Sequence, residues 1–200
     1  MPVTRRYPPE VRRRQLLDQA HQIIATSGTG GLTIVALARV GGLSSAGVLR
    51  YFKNKDEILR SLTDDVAESL GGIVEKARSR SESPLDTLKS LLREHLSLVE
   101  QGRGVSFVII AEALRSDDPV LRRRMEGILT RYLEAVEDIC ADAARSGDVS
   151  QAIDLRTASV GFFGLLQGTV TLWRLTGGDF PLVERHEHLW RLFTEGIAQK

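Results

Sequence analysis

Apolar residues recur three and four positions apart along nearly the whole chain and almost nowhere alternate, which predicts helices and no sheet. Pro9 and Glu10 suit a helix start, and Leu16, Leu17, Ala20, Ile23 and Ile24 make one apolar face that ends at Gly28. Ile34, Leu37 and Ala38 form a shorter face behind Thr33, a good N-cap, and Gly41-Gly42 closes it. Ser44 caps a third helix, Ser45 to Tyr51. A long helix runs from Lys55 to Ala77 with Ile58, Leu62, Val66, Leu70 and Ile73 on one stripe. The polar run from Ser79 to Ser83 predicts a turn, and Pro84 opens a fifth helix whose inward positions are Leu88, Leu91, Leu92, His95, Leu96 and Val99. A short apolar helix from Ser106 to Ser116 stops at Asp117-Asp118-Pro119, and Val120 to Ala144 carries Leu121, Met125, Ile128, Leu129, Tyr132, Val136 and Ile139. Asp154 caps an eighth helix that reaches Gly177-Gly178, and Pro181 opens the last, through Leu182, Leu189, Trp190, Phe193 and Ile197. The expected fold is all-α with about nine helices. Residues 1–60 are expected to form a small three-helix domain and residues 61–200 a helical body.

The segment from Thr33 to Lys55 is the most specific part of the pattern. Helix, glycine turn and helix, with Leu43 as an apolar plug, make a helix-turn-helix. Ser45, Ala46 and Gly47 open the second of these helices with side chains small enough for backbone to approach a major groove and its phosphates. Asn54 caps the following helix, with Glu57 able to bond back in a capping box. Asp56 and Glu57 suit the positive end of that helix, whereas Lys55 opposes it. A phosphate there would satisfy both the lysine and the exposed N–H groups; a lysine that simply points into water is the plain alternative.

The run Gly28…Leu32-Thr33…Leu37-Ala38…Gly42-Leu43-Ser44…Arg50-Tyr51-Phe52…Asn54-Lys55-Asp56-Glu57-Ile58-Leu59 resembles the N-terminal domain of the TetR family of bacterial transcriptional regulators. The resemblance covers roughly Arg12 to Leu62; beyond about residue 70 it is architectural only. It implies a TetR-like fold, an N-terminal DNA-binding domain followed by a ligand-binding and dimerisation domain, and a homodimeric repressor acting on a palindromic operator. Ser45, Ala46, Gly47 and Arg50 are expected nearest the bases, and Thr33, Ser44, Tyr51 and Lys55 on phosphates. One departure stands out: the family often has an aromatic where this chain has Leu49, leaving a contact from that position unsupported.

The net charge of +1 conceals an asymmetry. Residues 1–60 hold ten basic and four acidic side chains, a head of +6, against seventeen and twenty-two in the remainder, a body of −5. A basic head on an acidic body suits a polyanion-binding module with a separate regulatory part, and Arg5-Arg6 could form an arm that reaches DNA. No apolar run is long enough to cross a membrane and no secretion signal opens the chain, which points to the cytoplasm. The single cysteine, Cys140, cannot close an internal disulfide and shares core spacing with Val136, Ile139 and Ala143.

Catalysis finds little support. No Glu has His three residues on, as a ferritin-like metal site wants, and Glu184, His186 and His188 do not share one helix face. No catalytic residue, metal or cofactor is therefore expected, and His21 and His95 stand on mainly apolar stripes. The second informative feature is Gly161, Gly164 and Gly168, which line one face of the eighth helix. Each costs a helix interior roughly 1 kcal/mol against alanine, so the stripe calls for close approach of another helix. That helix belongs either to a second copy, in a dimer interface that the TetR resemblance implies is built from this helix and the last one, with Trp190 and Phe193, or to the same subunit.

Two functions from different classes follow. One is a ligand-responsive DNA-binding repressor with a small-molecule effector; the other is an effector-free DNA-binding or protein-interaction module whose body only dimerises. They differ in whether Phe107, Ile110, Leu114, Leu129, Tyr132, Phe163, Leu166, Gln167 and Trp173 line a cavity or fill a core.

Overall fold

The computed structural model describes residues 8–197, and among them it contains nine α-helices and no strand. They are α1 (Pro9–Gly31), α2 (Ile34–Gly41), α3 (Ser45–Leu49), α4 (Lys55–Arg80), α5 (Pro84–Gln101), α6 (Val105–Arg115), α7 (Pro119–Ser146), α8 (Leu155–Leu175) and α9 (His186–Ile197). A single 3-10 turn, Val183–Arg185, precedes α9 where Pro181 was expected to open the last helix directly. The pair Arg5-Arg6 lies outside the described residues.

The chain divides into two compact units. The first comprises the residues up to Asp65 together with Val108–Arg124; the second comprises Val66–Phe107 and the chain from Met125 on. In the first unit α1 packs on α2 and α2 on α3 around Leu16, Leu17, Ala20, Leu37, Val48 and Phe52. The turn between α2 and α3 forms where the glycine pair predicts it. Gly42 sits at φ 62°, ψ 35°, a left-handed conformation that carries no Cβ penalty in glycine. Leu43 N–H then closes the end of α2 on the Ala38 carbonyl at 2.9 Å.

Within α1 to α3, two boundaries differ from expectation. The first helix breaks at Gly28 as predicted, but one more helical turn, Thr29 to Gly31, continues beyond the break. The third helix is shorter than Ser45 to Tyr51: it ends at Leu49, and Tyr51 N–H bonds to the Val48 carbonyl three residues back at 2.9 Å. That tight turn brings Phe52 into the core beside Val48, and the burial of its ring sets the end of the helix.

In the second unit α5 packs on α8 and α9, and α8 on α9. Leu88, Leu91, Leu92 and Leu96 of α5 and Phe162, Leu166 and Val170 of α8 are buried, as are Val136, Ile139 and Cys140 of α7. Phe162 and Phe193 meet edge to face with ring centroids 5.2 Å apart. Cys140 is buried, and burial with the nearby Glu137 charge pushes its thiol up to about 11, which makes it inert. His95 is buried too, with Nδ1 2.8 Å from the Tyr132 hydroxyl, and loss of solvent lowers its pKa to about 4. No helix among the described residues is long and apolar enough to cross a membrane.

Candidate nucleic-acid interface and body cavities

The cap residues of the helix-turn-helix do their local work. Thr33 Oγ1 accepts from Ala36 N–H at 3.0 Å and Ser44 Oγ from Gly47 N–H at 3.1 Å. Each hydroxyl keeps its own proton free for an anion, and both residues are exposed. On α3 the inward position is Val48, fully buried, which turns Ala46, Leu49 and Arg50 outward. Ser45, Gly47 and Tyr51 are half-buried. Arg39, Arg50 and Lys53 are the exposed cations of this stretch.

The charge count alone overstates the head's free charge. Arg12 bonds to the Gly41 carbonyl and to Gln15, Arg13 bonds to Ser61 at 2.6 Å and stacks over the Phe52 ring, and Arg14 pairs with Asp18 and Asp65. These three guanidinium groups tie α1 to its neighbours in the first unit. Arg60 likewise meets Asp118 at 2.6 Å, and that bond holds the Asp118 carboxyl below the ordinary carboxylate range.

The capping box at α4 is present, with a shift of one residue. Asn54 Oδ1 accepts from Glu57 N–H at 2.9 Å, while Glu57 Oε2 accepts from Lys53 N–H at 2.7 Å. Lys55 does not point into water: its ammonium donates to the Thr29 carbonyl at 2.6 Å. Thr29, absent from the sequence-derived set, also donates from Oγ1 to the buried carboxylate of Glu112 at 2.7 Å. The available signal was one acidic residue inside the apolar run of α6.

The expected cavity lining does not hold together. Leu114 is 79% exposed, because the inward positions of this part of α6 are Ile109, Glu112 and Ala113. Leu166 and Trp173 are core, and the Trp173 indole donates to the Phe180 carbonyl at 3.0 Å. Tyr132 and Phe163 do meet, ring centroids 6.0 Å apart, with His95 beside them. Phe107, Leu129 and Gln167 are half-buried in the second unit, and Ile110 is half-buried in the first. An apolar cavity lies elsewhere. Ala67, Leu70, Gly71 and Val74 of α4 and Ile128, Tyr132 and Ala135 of α7 line a half-open cavity of about 250 Å³, with Glu75 and Arg131 at hand. Of the expected lining, Tyr132 is shared with it.

The glycine stripe faces outward. A Cβ built on Gly161, Gly164 or Gly168 meets nothing within 4 Å, so close packing inside the subunit does not explain these glycines. Exposed Val160, Leu172 and Leu175 of α8 and Leu192 of α9 continue an uncovered apolar surface. Phe193 does not belong to it: it is 5% exposed and packs on Phe162 of its own subunit. Trp190 is half-buried, its ring tilted against Phe193.

Two family models match in succession. Residues 16–62 fit bacterial regulatory proteins of the tetR family, and residues 66–196 fit the C-terminal region of YsiA-like proteins. The chain is similar to the fatty acid metabolism regulator protein of Bacillus subtilis (strain 168), 28% identical over 93% of this chain and 95% of that protein. Among solved structures, the fatty acid degradation regulator FadR of Bacillus halodurans superposes with a TM-score of 0.79 at 25% identity, covering 96% of this chain and 98% of that one. FadR of Bacillus subtilis in complex with stearoyl-CoA gives 0.78 at 27% identity, covering 92% and 98%.

Proposed function

Because the chain belongs to the TetR family of bacterial regulatory proteins and is a DNA-binding transcriptional regulator, we propose that it represses as a homodimer and is released from its operator by a long-chain acyl thioester. The observation that supports DNA binding most directly is the exposure of Thr33, which caps α2, and of Ser44 and Arg50, which flank an α3 that opens with small residues. Ser45, Ala46, Gly47 and Arg50 lie nearest base edges in this proposal. Thr33, Ser44 and Tyr51 hold phosphates, and Lys55 does so with the protons its internal bond leaves free.

The outward glycine stripe supports dimerisation through α8 and α9, which would set two recognition helices about 34–36 Å apart or a multiple of that. The cavity between α4 and α7 supports an apolar ligand, each buried methylene of which contributes about 0.8 kcal/mol. Its chemistry is taken from the relatives, one a fatty acid metabolism regulator and one bound to stearoyl-CoA. Residues 1–60 serve as the DNA-binding part and 61–200 as the effector-binding and dimerisation part, with the segment Val108–Arg124 assigned to the former's compact unit. The site of action is the cytoplasm, where acyl thioesters and the chromosome meet, and no catalytic role is proposed.

The experiment is direct. An operator selected from random DNA by the full-length protein is labelled and titrated by fluorescence anisotropy, without and with stearoyl-CoA, free stearate and CoA. Release by the thioester at least fivefold stronger than by CoA alone supports the proposal. A protein that binds its operator equally in all four conditions is an effector-free DNA-binding module instead.

A further inference from the structure

α6 is apolar for most of its length and then places Glu112 in a buried position. A carboxylate removed from water is costly unless hydrogen bonds and charge compensate it. Here both do. Thr29 Oγ1 donates to Oε2 at 2.7 Å, and the Arg115 guanidinium lies 2.8 Å from each carboxylate oxygen. Burial would raise this carboxyl, but the bonds from Arg115 and Thr29, with the charges of Arg115 and Lys55, hold it below its ordinary value.

Thr29 reaches Glu112 because of the residue before it. Gly28 takes φ 64°, ψ −175°, a conformation rarely open to L side chains, and so kinks α1 just before its last turn. The carbonyl of the same Thr29 accepts from Lys55 Nζ at 2.6 Å. Lys55 is the first residue of α4, where the helix dipole disfavours a cation. The Thr29 carbonyl and the Glu112 charge offset that penalty and leave two ammonium protons unengaged by this bond.

We infer that Glu112 is a positioning residue for operator binding: through Thr29 it sets where Lys55 presents its remaining protons at the start of α4. This rests on Lys55 as a phosphate ligand, and the test separates the two. Operator affinity is measured across a salt series for the full-length protein and four variants. Lys55→Ala should weaken binding about tenfold and flatten the salt dependence by about one unit. Glu112→Gln keeps the shape and an acceptor for Thr29 but turns the charged hydrogen bond into a neutral one, and should weaken binding about threefold to tenfold. The double variant should bind no worse than Lys55→Ala alone.

Thr29→Val replaces the hydroxyl by a methyl, removes the bond outright and should weaken binding at least as much as Glu112→Gln; it stands in for that variant if the latter melts before the assay temperature. Losses that add in the double variant mark Glu112 as a purely structural residue and overturn the inference. Wild-type affinity in both Glu112→Gln and Thr29→Val, beside the expected Lys55→Ala result, overturns it while the phosphate role stands. If Lys55→Ala changes neither affinity nor salt slope, the phosphate role fails and the inference with it.

Discussion

Substituting the glycine stripe should move two quantities in opposite directions. In a lone subunit Gly164 and Gly168 touch nothing where a side chain would go, so Gly164→Leu meets no internal clash. It removes a glycine from the middle of α8 and should stabilise the folded subunit by about 0.8–1 kcal/mol. In a dimer that seats the partner helix on this stripe, the same leucine overpacks the interface by about 1–3 kcal/mol. Two-fold symmetry presents the substitution twice, so the dimer loses about 2–6 kcal/mol, which raises its dissociation constant roughly 30- to 20,000-fold. Sedimentation velocity over a dilution series reads the dimer constant, and urea unfolding below that constant reads subunit stability. The expected result is a more stable monomer with weak operator affinity. A folded Gly164→Leu or Gly168→Leu protein that remains as tight a dimer as the wild type would refute the interface.

Arg50→Ala should weaken operator binding by about 1–3 kcal/mol and relax the choice of one base pair, read by anisotropy on an operator permuted at each position. Ala135→Trp fills the cavity between α4 and α7 and should abolish the response to stearoyl-CoA with operator affinity kept, whereas Leu114→Trp, on an exposed position, should change neither. His95 titrates near 4 when folded against about 6.5 unfolded, so the unfolded chain binds the extra proton first. Stability should therefore be full above pH 6.5 and fall progressively towards pH 4, by about 3 kcal/mol from this group; urea melts of wild type and His95→Gln across that range check it, the variant losing the shallower amount.

Much of this fold was legible in the residues because the forces that decide it act over three or four positions. Thr33, Ser44 and Asp154 cap the helices they precede, since a side-chain oxygen and the N–H three residues on are neighbours whatever the rest of the chain does. Gly42 ends α2 for an equally local reason, its freedom at φ 62°. The inward stripe of α5, from Leu88 to Val99, follows from the helical period alone.

Periodicity shows that a stripe is apolar, not what covers it. Leu114, Phe193 and the glycines of α8 each look the same in sequence whether they face a core, a cavity or a second subunit, and only the packing of distant segments separates them. Phe193 is core because Phe162, thirty-one residues earlier, meets its ring. Leu114 is exposed because Ile109 and Ala113 take the inward side of α6. The Glu112–Thr29–Lys55 chain joins residues 83 and 26 positions apart. Its bonds exist because a buried charge must find partners wherever the fold brings them, and that condition is written in three dimensions and not along the chain.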